Sequence, residues 1–146
     1  MSMAEPAGFV WPPAIQVDDI EQVRLALSVA RDLGRTVTLI SAPAAANAVG
    51  VGFFASLIRL GREEFPDLPF RAVLDCHTAG GRAMAALHSG VDAIIYSGDG
   101  KTLLKLADIA EDHGVGLLPD RLPAFDGLSM PGDQKMALTA WLERQG

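Results

Sequence analysis

The sequence predicts an α/β fold: a mostly parallel sheet of five strands, with helices on both faces. Two observations carry this. Short aliphatic runs recur along the chain, each followed by a segment with apolar residues at helical spacing. The turns between them hold Asp, Ser, Pro and Gly where helices start, and Gly where they stop. Strand and helix alternate four times and close on a strand, the pattern of parallel strands joined by right-handed crossovers.

The elements follow in order. Residues 1–13 read as an N-terminal arm ending in the stiff Trp11-Pro12-Pro13. Residues 14–17 form a first strand. Asp18 then stands three residues before Glu21, the capping-box spacing. Ile20, Val23, Ala26, Leu27, Ala30 and Leu33 share one helical face, and Gly34 ends that helix. Residues 36–40 are apolar on both faces, as a central parallel strand is. Ser41-Ala42-Pro43 opens one long helix running to about Arg62. Residues 70–76 give the third strand, 82–88 a helix and 92–96 the fourth strand. A helix over 102–113 shows Leu103, Leu106, Ala107 and Ala110 on one side and stops at Gly114. Residues 115–118 are the fifth strand. A long loop spans 119–132, and Asp133 caps a last helix over 133–145. These spacings suit a single flavodoxin-like domain over residues 1–146, strand order 2-1-3-4-5. A (β/α) half-barrel is the alternative, since a full eight-stranded barrel needs about 250 residues.

Composition narrows the function. The chain has 146 residues and a formal net charge of -6, and its 12 Lys and Arg form no basic run. Nucleic acid and acidic membrane surfaces are therefore not expected partners. Cys76 is the sole cysteine, so no internal disulfide forms. The first ten residues have no basic leader region, and a cytoplasmic protein is expected. Residues 36–58 carry no charge, yet Pro43 and Asn47 interrupt them. A buried strand, a turn and a buried helix explain them better than a membrane span.

Ligands of open parallel sheets bind at the carboxyl ends of the strands. There the chain places Asp18 and Asp19, then Ser41 to Pro43, then Asp75 to Thr78, then Ser97 to Lys101, and last Asp120 and Arg121. Asp75 beside His77 is a candidate acid–base pair. Thr78, Gly80, Gly81 and Arg82 offer a hydroxyl, backbone N–H groups and a cation to an anion. Ser97, Asp99 and Lys101, with Arg121, extend the candidate ligand-binding set. Each has a plainer reading: Asp75 and Thr78 as turn caps, Gly80 and Gly81 as packing glycines, Asp99 as a helix N-cap. Cys76 reads as a buried structural thiol. The Gly100-Lys101-Thr102 run looks like the end of a phosphate-binding loop, but position 95, where that motif needs glycine, is Ile. No motif calls for a cofactor. His77, His88 and His113 are far apart in sequence, and no metal site is expected.

Ala44, Ala48, Gly52 and Ser56 recur every four residues, with Phe53, Phe54, Leu57 and Ile58 among and after them. A helix over 44–58 that is apolar around most of its circumference asks to be covered on more than one side, so a homodimer through it is expected. The stretch 83–97, with Gly90-Val91-Asp92-Ala93-Ile94-Ile95-Tyr96 entering a strand, resembles the helix-to-strand turns of phosphate-binding (β/α) barrel enzymes. It covers about a tenth of the chain and implies fold analogy alone. The leading functional expectation is a small-molecule binding domain for an anionic ligand. The alternatives are a lyase or isomerase using Asp75 and His77, and a non-catalytic oligomeric interaction module.

Overall fold

A computed structural model describes residues 10–145. The first nine residues of the expected arm lie outside the described residues. The α/β class holds. The strands are β1 (Ala14–Gln16), β2 (Thr38–Ile40), β3 (Arg71–His77), β4 (Ala93–Tyr96), β5 (Gly116–Leu118) and β6 (Ala124–Phe125). All pair in parallel. The helices are α1 (Ile20–Leu33), α2 (Ala45–Ala48), α3 (Val51–Glu64), α4 (Gly80–Ala86), α5 (Gly100–His113) and α6 (Gln134–Glu143).

Local chemistry sets most boundaries as read from sequence. Gly34 and Gly114 close α1 and α5 in the left-handed conformation, at φ 63° and 65°. Asp99 and Asp133 cap α5 and α6 by accepting from the N–H of Thr102 and Met136. The start of α1 shifts by one residue. Its N-cap is Asp19, which accepts from the Gln22 N–H, while the Gln22 side chain accepts from the Asp18 N–H. The longer correction concerns residues 41–62. The chain turns at Val49–Gly50, with Gly50 at φ 93° and ψ 155°, so α2 and α3 are separate and Ala44 precedes both. The stripe from Ala44 to Ser56 is therefore not one helical face. The expected loop over 119–132 also holds β6 and a 3-10 turn at Gly127–Ser129.

The sheet order is β5-β4-β3-β2-β1-β6, which replaces the expected 2-1-3-4-5. The consequence is large. From β1 to β5 each crossover steps one strand in the same direction, and right-handed crossovers then collect their helices on one face. The core bears this out. Ile15, Leu39, Leu74, Ile94 and Leu117 pack with apolar residues of α1, α3, α4, α5 and α6 in one cluster. The opposite face holds Ala14, Ile40, Val73, Ala93, Ile95 and Leu118, joined by Trp11, Leu122 and Ala124 but by no helix residue. Helices thus cover one face and not both.

The helix-free face is still buried: Ile40 and Val73 are 0% exposed. The sheet must curl around it. Six residue steps lead from Leu118 to Ala124, a reach of at most about 21 Å. In a flat sheet, five strand spacings plus the axial offset between Leu118 and Ala124 come to about 27 Å. The connection closes only if the edges β5 and β6 approach each other. The sequential order and one-sided helices match the half-barrel alternative better than the flavodoxin-like arrangement.

Candidate functional site

The carboxyl ends of the strands meet at one rim, and the Arg121 side chain crosses it. Arg121 follows β5 and reaches back over the curled sheet. Its Nη1 donates to Asp75 Oδ2 at 3.0 Å, and its Nη2 donates to Gln16 Oε1 at 3.0 Å and to the Ser41 carbonyl at 2.8 Å. One guanidinium therefore ties the ends of β1, β2 and β3. Asp75 is buried on the helix-free face, where alternation from Arg71 and Val73 places it. Its second oxygen, Oδ1, accepts from the His77 backbone N–H at 3.0 Å. Its own N–H donates to Ser41 Oγ, and that hydroxyl donates to the Ala42 carbonyl. Both carboxylate oxygens thus have partners, as burial of a charge demands.

The candidate residues divide into two groups. Asp75 and Arg121 are joined. The link between Asp75 and His77 runs through the His77 backbone, and the His77 ring makes no hydrogen bond among the described residues. His77 is exposed and left-handed at φ 49°. The remaining candidates lie on the far side of the rim. Gly80 and Gly81 are the first residues of α4, and the α4 N-cap is Ala79, with no side-chain cap from Thr78. Thr78, Gly81, Arg82, Asp99 and Lys101 are exposed. Ser97 donates to the Pro119 carbonyl. Asp99 binds both the N–H and the hydroxyl of Thr102, and those bonds hold its carboxyl below its ordinary value. A carboxylate therefore already occupies the start of α5.

Cys76 points to the helix side of β3 and is buried. Burial, with the Asp75 charge beside it, pushes its thiol up to about 12, so it stays protonated at neutral pH.

Sequence reasoning missed Gln16 and Tyr96 as site components, and it placed Ser41 at the rim without its bond to Asp75. Gln16 had a signal: it is a polar residue in an otherwise apolar strand. Tyr96 had none. Its phenol is buried beneath the turn before α5, and a Cβ on Gly98 would lie 2.1 Å from its hydroxyl.

The rim also has a concave part. A cavity of about 190 Å³ opens between the ends of β1 and β2 and the helices α2 and α3. Val17, Ala45, Phe54 and Leu57 give it apolar walls, and Asp18 and Ser41 give it a polar edge. Val49 and Phe53, also in its lining, are 55% and 46% exposed. Ala44, next to the lining residue Pro43, is the second left-handed non-glycine residue, at φ 56°. Among the described residues, Ala44 and His77 alone combine a side chain with positive φ; His77 is the last residue of β3, and Ala44 lies in the turn that follows β2.

No cluster of three or more metal-ligating side chains occurs among the described residues. None of the described helices is long and apolar enough to cross a membrane. No protein-family model matches the chain, and no curated protein matches it in sequence.

Proposed function

We propose that the protein binds a small molecule at the carboxyl-end rim, with an apolar group of the ligand seated between β1, β2, α2 and α3. The apolar cavity with its polar edge of Asp18 and Ser41 carries this reading. Pockets of that composition at the carboxyl ends of parallel strands are where such folds take ligands. The left-handed backbone at Ala44 supports it, because strain of this kind gathers at ligand sites. Size limits the guest. A cavity of about 150 Å³ takes benzene, so an aromatic ring or a short branched chain fits here.

Charge refines the expectation of an anionic ligand. Arg121 is already neutralised by Asp75, and Asp18 adds a negative charge at the cavity edge. An uncharged or cationic polar group suits this half of the rim. An anion suits the other half, where Arg82 and Lys101 are exposed and make no ion pair among the described residues. A fragment titration followed by amide NMR separates the two. Shifts at Ser41, Ala45, Val49 and Leu57 with small aromatic fragments are expected, and Leu57→Trp should abolish them. Shifts confined to Gly80–Arg82 and Ser97–Lys101 with phosphate would replace this reading by the anionic one.

A catalytic role for Asp75 and His77 is the second reading, favoured by the left-handed backbone of His77 at the strand end. It requires the His77 ring to act on a ligand that also reaches Asp75. The expected two-fold contact now has a smaller basis. Val49 and Phe53 are the large exposed apolar residues of the 44–58 segment, and a second copy would cover them. Light scattering of the wild type and of Phe53→Asp tests that contact.

A further inference from the structure

At the end of the molecule opposite the rim, two histidines distant in sequence come together. His88 follows α4, and His113 is the last residue of α5. Their ring centroids are 4.4 Å apart, with planes at 87°. Both residues are exposed. The His113 Nδ1 lies 2.9 Å from the Ile109 carbonyl oxygen. A carbonyl only accepts, so Nδ1 carries the proton and the neutral ring presents Nε2 with its lone pair free. A backbone carbonyl holding one imidazole N–H is the usual support of a metal-binding histidine. The His88 ring makes no hydrogen bond among the described residues, so both of its nitrogens are open.

We infer that His88 and His113 form a two-imidazole site for a first-row transition-metal dication, its other positions filled by water. The geometry fits. With metal–nitrogen bonds near 2.0–2.1 Å, two imidazoles on adjacent positions of one ion place their centroids roughly 4.5–5 Å apart. Binding needs a shift of a few tenths of an ångström and a rotation that turns one nitrogen of each ring toward the ion, and both side chains are exposed and can make it. The electrostatics fit too. The last turn of α5, a helix of 14 residues, ends here, and its carbonyl end favours a cation. Imidazole donors select Cu²⁺, Ni²⁺ and Zn²⁺ over oxygen-seeking Mg²⁺ and Ca²⁺, and Cu²⁺ binds most tightly in that series.

The test is a Cu²⁺ titration of the full chain, followed by electron paramagnetic resonance. One equivalent should bind with hyperfine structure from two imidazole nitrogens. His88→Ala and His113→Ala should each weaken binding about tenfold or more. His77→Ala, at the other end of the sheet, should leave it unchanged, and so should excess Mg²⁺. His88→Ala removes no backbone bond, so it reads out the site even if His113→Ala disturbs the end of α5. Copper binding that survives both substitutions overturns the inference, as does an absence of binding at about 1 mM Cu²⁺.

Discussion

Arg121 shows how one side chain decides what a site is. It looks like a ligand-binding cation in the sequence, but its guanidinium serves Asp75, Gln16 and Ser41. Arg121→Ala strands the buried Asp75 carboxylate with only the His77 N–H. It should lower stability by about 3 kcal/mol in denaturant unfolding. Asp75→Asn with Arg121→Ala should recover part of that loss, because no charge is then left buried. Cys76 makes a second residue-scale case. Its thiol should resist alkylation at pH 8 in the native state and react on unfolding. Its raised titration gives a sign as well. Below pH 9.0, its ordinary value, both states hold the proton and the thiol contributes nothing. Above pH 9.0 the unfolded thiol ionises while the folded one does not, so stability falls as pH rises toward about 12. The mutual distance of these residues was not legible in sequence. Asp75 and Arg121 are 46 positions apart, and only the curl of the sheet brings them together. His88 and His113 were hidden in the same way: sequence separation argued against a shared site, but α4 and α5 are neighbours and end side by side.

At the scale of elements, helix caps and glycine stops were legible because they act over four residues or fewer, as at Gly34, Asp99 and Asp133. The break between α2 and α3 was not. Gly50 sits in a small-residue run that reads as continuous helix, and its backbone lies in a region that only glycine occupies readily. The two nearby glycines should therefore respond oppositely to alanine. Neither Cβ would meet anything within 4 Å, so the backbone alone decides. Gly50→Ala should cost about 1–3 kcal/mol. Gly52→Ala, inside α3, should stabilise by about 0.5–1 kcal/mol. Thermal melts of the two variants would measure both, and equal shifts would mean that residues 44–64 form one helix after all. Gly98 differs from both because sterics decide there. Its Cβ would strike the buried Tyr96 phenol, so Gly98→Ala should destabilise by about 1–3 kcal/mol.

For the whole molecule, alternation of strands and helices fixed the class but not the winding. Strand order depends on which way each crossover steps, and nothing in the strand sequences encodes that step. An alternating doubly wound sheet and a singly wound curled one both need strands apolar on two faces. The two arrangements differ in what fills the second face. In the curled sheet that space is small and closed by the sheet itself. By register, Gln16, Ile40, Val73, Ala93 and Gly116 form one level across it. Ala93 and Gly116 keep that level narrow, and Ala93 is 0% exposed although no helix faces it. Ala93→Leu adds three carbons to a space bounded by Ile40, Val73 and Ile95. It should cost about 1–3 kcal/mol as overpacking, read from the denaturant midpoint at unchanged slope. In a flat sheet with an open second face, the same change would bury apolar area against Val73 and leave the midpoint level or higher. Ile94→Val serves as the control, because Ile94 faces the helices. It should cost about 0.5–1.5 kcal/mol in either arrangement. A midpoint that rises for Ala93→Leu while Ile94→Val behaves as stated would rule out the curled sheet, and with it the crossing of Arg121 to Asp75.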